Sequence, residues 1–142
     1  NYCDEEWFGR KHVFNMEQED NTWTVMEGEI EFPPQKGRKM PLWQRYVDSR
    51  RLEITCGEAP YLVSRYDMAT GEMIYPLKKR IGQLDRKLRI VNEQAEDYQD
   101  WIKWALRAFE ATYGYEYQGD NVLIARINLL MTFFEYHRSA LC

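Results

Sequence analysis

Two carboxylates, Glu53 and Glu116, stand where a short strand gives way to a turn, a position suited to holding a polar small molecule. The first lies in Leu52-Glu53-Ile54-Thr55-Cys56-Gly57-Glu58-Ala59-Pro60-Tyr61-Leu62, an apolar run carrying an acid, then a Gly/Ala turn and a proline that opens a helix. A strand that stops at a tight turn and hands over to a helix N-terminus leaves backbone N–H groups able to meet a ligand. The same residues also fit an ordinary strand, turn and helix with no ligand. The second acid lies in Thr112-Tyr113-Gly114-Tyr115-Glu116-Tyr117-Gln118-Gly119-Asp120, a strand rich in aromatics after which a helix opens at Asp120. In open α/β sheets that bind an adenosine group, an acid at the end of the second strand accepts both ribose hydroxyls, and Glu116 fits that place. For each acid the alternative is a solvated strand end.

Together these stretches resemble the adenine-specific DNA methyltransferases that use S-adenosylmethionine, in the branch found in type II restriction-modification systems. Residues Glu53 to Leu62 look like that family's first cofactor motif: an acid, a short Gly-containing turn, then Pro-aromatic-Leu. Tyr113-Gly114-Tyr115-Glu116, with the Asn121 to Leu130 helix behind it, looks like the second. The wider run from Tyr46 to Leu130 is similar to the middle of larger "subunit M" methylases. The resemblance implies an α/β chain, part of a Rossmann-like methyltransferase fold. Its cofactor-binding part would span residues 42–142, with a helical insertion over about 67–110 and a β-containing segment over 1–41. It further implies that Glu53 lies near the ammonium of the cofactor's amino-acid tail and that Thr55, Cys56, Gly57 and Ala59 form the turn against it. Gly57 would let the backbone approach, Glu116 would hold the ribose diol and Tyr117 would border the adenine. The partners implied are DNA, through the full-length enzyme, and a restriction subunit, in the cytoplasm.

Three departures shape that expectation. Ala59 stands where many members carry a second glycine, and its methyl group crowds the backbone's approach to a ligand. Glu53 and Glu116 are 63 positions apart, whereas the acid of a plain dinucleotide fold follows its glycine turn by about 20 residues, so an insertion fills the gap. The family's Asn-Pro-Pro-Tyr or Asp-Pro-Pro-Tyr motif is nowhere in the sequence, so the chain reads as a fragment with no catalytic residue of its own. It is then expected to bind the cofactor weakly or not at all and to leave DNA unmethylated when alone. Two other readings stay open: a methyltransferase acting on RNA, protein or a small molecule, and a non-enzymatic module whose sheet edge and aromatic helices bind another subunit.

At 142 residues and 44% hydrophobic, the chain is long enough for one packed domain and too short for two. Cys3, Cys56 and Cys142 are far apart and odd in number, which fits reduced thiols, and neither they nor His12 and His137 have metal-ligand spacing. The sequence has neither a signal peptide nor an apolar run long enough to span a bilayer, which predicts a soluble, unexported protein. It begins at Asn1 without Met, as a trimmed chain would. A net charge of -4 gives no overall attraction to phosphate. Basic clusters at Arg45, Arg50 and Arg51, and at Lys78, Lys79, Arg80, Arg86, Lys87 and Arg89, read as solvated helix faces.

The remaining elements follow from periodicity. Alternation from Trp23 to Phe32 predicts a half-buried strand, paired with residues 12–16 across an Asp20-Asn21 turn, its Glu27, Glu29 and Glu31 facing water. Pro33-Pro34 ends it, and Gln35 to Pro41 reads as a loop. Leu42 to Val47 has helical spacing, with Trp43 and Tyr46 either in the core or closing over the cofactor. The helix that continues after Leu62 is expected to be short, because Asp67 to Glu72 reads as a polar turn. Leu77, Ile81, Leu84, Leu88 and Val91 predict one helix started by Pro76, with an exposed Asp85 and Arg89 ion pair. Trp101, Trp104, Ala105, Ala108 and Phe109 predict a second. A final helix over Asn121 to Ala140, capped by Asp120, would bury Leu123, Ile127, Leu130, Met131 and Phe134 and turn Arg126, Asn128 and Glu135 outward. Following the second candidate strand directly, it makes a βα unit and so predicts that the two motif strands are parallel neighbours.

Overall fold

The computed structural model describes residues 2–19, 23–33, 40–54, 62–67, 69–115 and 118–141, a mixed α/β structure that is mostly helical. In chain order its elements are α1 (Tyr2–Phe8), β1 (Asn15–Glu17), β2 (Trp23–Val25), α2 (Leu42–Asp48), β3 (Arg51–Ile54), α3 (Gln83–Gln94), α4 (Tyr98–Glu110), β4 (Thr112–Tyr115) and α5 (Gly119–Leu141). β1 pairs antiparallel with β2, and β3 pairs parallel with β4.

The aromatic periodicity around Trp101 builds the core as predicted. Asp97 caps α4 by accepting from the Asp100 N–H at 2.8 Å, and the helix then buries Trp101, Trp104, Ala105 and Ala108 against Leu84, Leu88 and Val91 of α3. Both tryptophans find company at ring distance: Trp104 meets Trp43 edge-on at 5.6 Å, and Trp101 lies 5.8 Å from Phe133. Tyr46 of α2 is buried beside Trp7, Phe8, Phe14 and Phe32, so Trp43 and Tyr46 pack in the core.

The N-terminal hairpin forms where expected, with Asn15 opposite Val25, but its second strand stops at Val25 rather than reaching Phe32. Gly28 takes a left-handed φ of +84° and breaks the extended run. Side chains of α3 then satisfy the backbone that a strand partner would have: Arg89 donates to Met26 O and Gly28 O, both at 3.0 Å, and Glu93 accepts from the Ile30 N–H at 3.0 Å. The alternation survives the loss of the strand, since Ile30 is buried while Glu27, Glu29 and Glu31 are exposed.

Five other expectations are corrected. The segment from Leu62 to Arg65 is not helical: Leu62 O accepts from the Leu84 N–H at 2.9 Å and the Ser64 N–H donates to Asp85 at 2.5 Å, which lays this segment against the start of α3. The polar turn that follows is real, closed by the Tyr66 and Met73 bridge and by Asp67 accepting from the Ala69 and Thr70 N–H groups. The helix expected from Pro76 is split into a 3-10 turn, Leu77–Lys79, and α3, with Gly82 between them. A Cβ on Gly82 would lie 2.4 Å from Leu62 O, so this crossing admits only glycine. Asp85 and Arg89 make no exposed pair, because both are buried, with Asp85 bonded to Ser64 and Tyr136 and Arg89 ion-paired with Glu93. Nor is the second basic cluster a solvated face, since Arg80, Lys87 and Arg89 are all buried.

The fifth correction concerns α5. The helix forms, beginning at Gly119 with Asp120 inside its first turn, yet Leu123, Ile127, Leu130, Met131 and Phe134 are exposed. The inward face is Ala125, Thr132 and Tyr136, with Leu129 and Phe133 packed at its border. Glu135, expected to face water, instead accepts from Arg65 at 2.8 Å and Arg80 at 2.5 Å. Apolar residues occupy several sides of this helix, so polar partners decide which side turns in.

Candidate functional site

The two motif strands are parallel neighbours in register. Arg51 lies opposite Thr112, Leu52 opposite Tyr113, Glu53 opposite Gly114 and Ile54 opposite Tyr115, so both strands end together. A parallel pair requires a crossover, and α3 and α4 lie within it.

Lys87 ties the beginnings of these strands to the core. Its buried ammonium donates to Ser49 O just after α2, to Ala111 O at 3.4 Å and to Thr112 Oγ1 at 3.3 Å. The Arg51 N–H also donates to Ala111 O, at 2.9 Å. Burial first, then the charge of Arg51, pushes the Lys87 amine down to about 7, with Asp48 acting the other way.

Glu53 projects from β3 across from Gly114, a position with no side chain of its own. Its Oε2 is buried with no hydrogen-bond partner among the described residues, and burial raises its pKa. A carboxylate oxygen without a donor is costly to bury. Glu53 lines a cavity of about 410 Å³ together with Arg50, Arg51, Leu52, Leu62 and Gln83. Gln83 begins α3, so the positive end of that helix borders the cavity. Two arginines, one carboxylate lacking a donor and a helix N-terminus make a wall complementary to a zwitterionic amino-acid group.

Among the predicted site residues, Glu53 is the one described. Thr55, Cys56, Gly57, Ala59, Glu116 and Tyr117 lie outside the described residues. Arg50 and Arg51, read from the sequence as part of a solvated basic cluster, and Gln83, not singled out there, join Glu53 at the cavity. For the arginines, their place at the start of the strand was the available signal. Gln83 is brought in only by the packing of α3 on Leu62.

Compared with protein-family models, with curated proteins and with solved structures, the chain matches none. Among the described residues no group of three His, Cys, Asp or Glu side chains could hold a metal ion, and no helix is long and apolar enough to cross a membrane. His137 is engaged with the Tyr98 hydroxyl at 3.0 Å, its ring against Trp101.

Proposed function

We propose that this chain is the S-adenosylmethionine-binding portion of an adenine-specific DNA methyltransferase of a restriction-modification system, with a Rossmann-like core of which β3, β4 and α5 are a part. The observation that carries the reading is the parallel, in-register pairing of the two motif strands, with the Glu53 carboxylate lacking a donor in the wall of a 410 Å³ cavity beside them. In open parallel sheets ligands bind outside the carboxyl ends of the strands, and Glu116 follows the last pair of this sheet directly in sequence. The cavity volume falls within the roughly 300–1,000 Å³ range of small-molecule sites.

When bound, S-adenosylmethionine supplies an activated methyl group for transfer to the adenine amino nitrogen. On this reading Glu53 would accept from the ammonium of its tail, Arg50 and Arg51 would hold the tail carboxylate, and Glu116 would accept from the ribose hydroxyls, with Tyr117 beside the adenine. Thr55, Cys56, Gly57 and Ala59 would supply the turn. Base flipping and the acceptors that hold the extruded adenine belong to the full-length enzyme, whose partners are DNA and a restriction subunit in the cytoplasm.

Isothermal titration of S-adenosylmethionine into the chain tests this. Weak saturable binding is expected, with Glu53→Gln and Glu116→Ala each weakening it at least fivefold. Binding that neither substitution changes, or no binding at all, removes the cofactor site.

A second reading has its own observation. Among the described residues β3 and β4 pair only with each other, and the register partners Leu52 and Tyr113 are exposed on one face of that pair. Parallel sheets are ordinarily covered on both faces, which supports a module that completes its sheet against another subunit. A stable monomer in light scattering that shows no self-association at high concentration and binds S-adenosylmethionine favours the first reading.

A further inference from the structure

A second cavity, of about 640 Å³, lies at the far end of α5 from β4, between the Leu77–Lys79 turn, α3 and the last turns of α5. Counting from Gly119 to Arg138 at about 1.5 Å per residue puts almost 30 Å of helix between the strand ends and this cavity. Its walls combine Tyr75, Pro76 and Leu77 with the cations Lys78, Arg89 and Arg138 and the hydroxyl of Ser139.

The charges there do not cancel. Glu135, one of two acids in the wall, is already matched by Arg65 and Arg80 and also accepts from the Tyr75 hydroxyl at 3.1 Å. Glu93 is matched by Arg89 at 3.2 Å and by the Ile30 N–H, and Lys78 reaches Glu27 at 2.5 Å. One positive charge, that of Arg138, and one spare guanidinium donor, on Arg89, are left over. Arg138 is exposed and bonded to no described residue. Arg89 is about nine-tenths or more buried, and its Nη1 has no hydrogen-bond partner among the described residues. A buried guanidinium N–H with nothing to donate to is destabilising until an acceptor arrives.

We infer that this cavity binds a small phosphate monoester carried on a flat apolar body. The phosphate would take the spare guanidinium donors of Arg89 and Arg138, and the body would lie on the Tyr75 and Leu77 wall. The three terminal oxygens of a phosphate suit donors spread over several elements better than the two of a carboxylate, and guanidinium groups bind them in a fixed fork. The negative end of α5 opposes an anion here, but a helix end at an exposed site is worth less than a charge-assisted hydrogen bond.

Phenyl phosphate, inorganic phosphate and phenol are the probes, titrated at low ionic strength and followed by calorimetry and amide chemical shifts. Phenyl phosphate is expected to saturate at millimolar concentration or below, at least fivefold tighter than inorganic phosphate, with phenol not binding. Arg138→Ala should weaken it at least fivefold, while Arg126→Ala, an exposed arginine on the same helix outside the cavity, and Glu53→Gln leave it unchanged. Failure of phenyl phosphate to saturate overturns the site. So does equal weakening by Arg126→Ala, which would mean a diffuse surface field, or binding of a single-stranded oligonucleotide without binding of phenyl phosphate. Because no probe carries a nucleoside and Glu53→Gln is among the controls, failure here leaves the cofactor reading standing, and the reverse.

Discussion

The Tyr136 hydroxyl donates to Asp85 Oδ1 at 3.0 Å, joining the C-terminal half of α5 to the first turn of α3 inside the core. Asp85 also accepts from the Ser64 N–H at 2.5 Å, so one buried carboxylate fixes α3, α5 and the extended Leu62 to Arg65 segment relative to one another. It sits within the same turn that borders the candidate cofactor cavity. The position of Gln83 at that cavity therefore depends on this carboxylate.

Burial pushes Asp85 up to about 6 from 3.8, against the lowering effect of its bonds to Ser64 and Tyr136 and of the Arg80 charge. The folded state thus holds a proton between about pH 4 and 6 that the unfolded chain has released. Its contribution is fully present below the unfolded value and is lost as pH rises through 6. The stability of the native protein relative to Asp85→Asn should fall by about 2–3 kcal/mol between pH 4 and 7. Urea unfolding of both proteins at the two pH values measures it, and a difference independent of pH contradicts the buried-acid account.

Lys87 titrates with the opposite sense. Its folded value of about 7 lies below the ordinary 10.5, so between those values the unfolded chain binds a proton that the folded one does not. Stability attributable to this amine should rise as pH increases through that window. Thermal unfolding of the native protein and of Lys87→Met at pH 7 and pH 9 reads the effect as a difference that grows in favour of the native protein. A difference that shrinks would mean that the three oxygen acceptors hold the ammonium charged.

The inward face of α5 makes a sharper test of packing. Tyr136→Phe removes a buried donor from Asp85 and should cost about 1–2 kcal/mol. Leu123→Gln and Leu130→Gln, at positions 59% and 55% exposed, should each change stability by less than about 0.5 kcal/mol. Denaturant midpoints for the three variants decide it. The reverse ordering would restore the leucine stripe as the buried face.

That helix also marks where sequence reading stops. The motif strands, the βα step into α5, α2, α4 and the hairpin pairing were legible because period-2 and period-3.6 patterns act locally. The buried face of α5 was not, because it depends on Arg65 and Arg80 arriving from elsewhere to claim Glu135, and on Asp85 claiming Tyr136. Arg89 and Asp85 look like a helix-surface ion pair one turn apart. Arg89 instead pairs with Glu93 one turn on, and the other partners, Met26, Gly28 and Ser64, are distant in sequence. At the site, the pairing of the strands could be read from element order, whereas the cavity wall supplied by Gln83 could not.

Gly82 and Gly28 separate two reasons for a glycine. Gly82 has an ordinary φ of -59°, but a Cβ there would meet Leu62 O at 2.4 Å and Asp85 Oδ2 at 2.6 Å. The obstacle is the backbone of the segment leading out of the first motif, so it cannot swing aside as a surface side chain would. Gly82→Ala should therefore cost about 1–3 kcal/mol and loosen the start of α3. Gly28 has open space around it and a φ of +84°, so Gly28→Ala should cost only the left-handed backbone penalty of roughly 1 kcal/mol. Hydrogen exchange distinguishes the two: Gly82→Ala is expected to speed exchange at the Leu84 and Ser64 amides, which bond across the crossing, and Gly28→Ala to leave them protected. If both variants lose protection at those amides alike, the close approach at Gly82 is not what holds α3 against the motif segment.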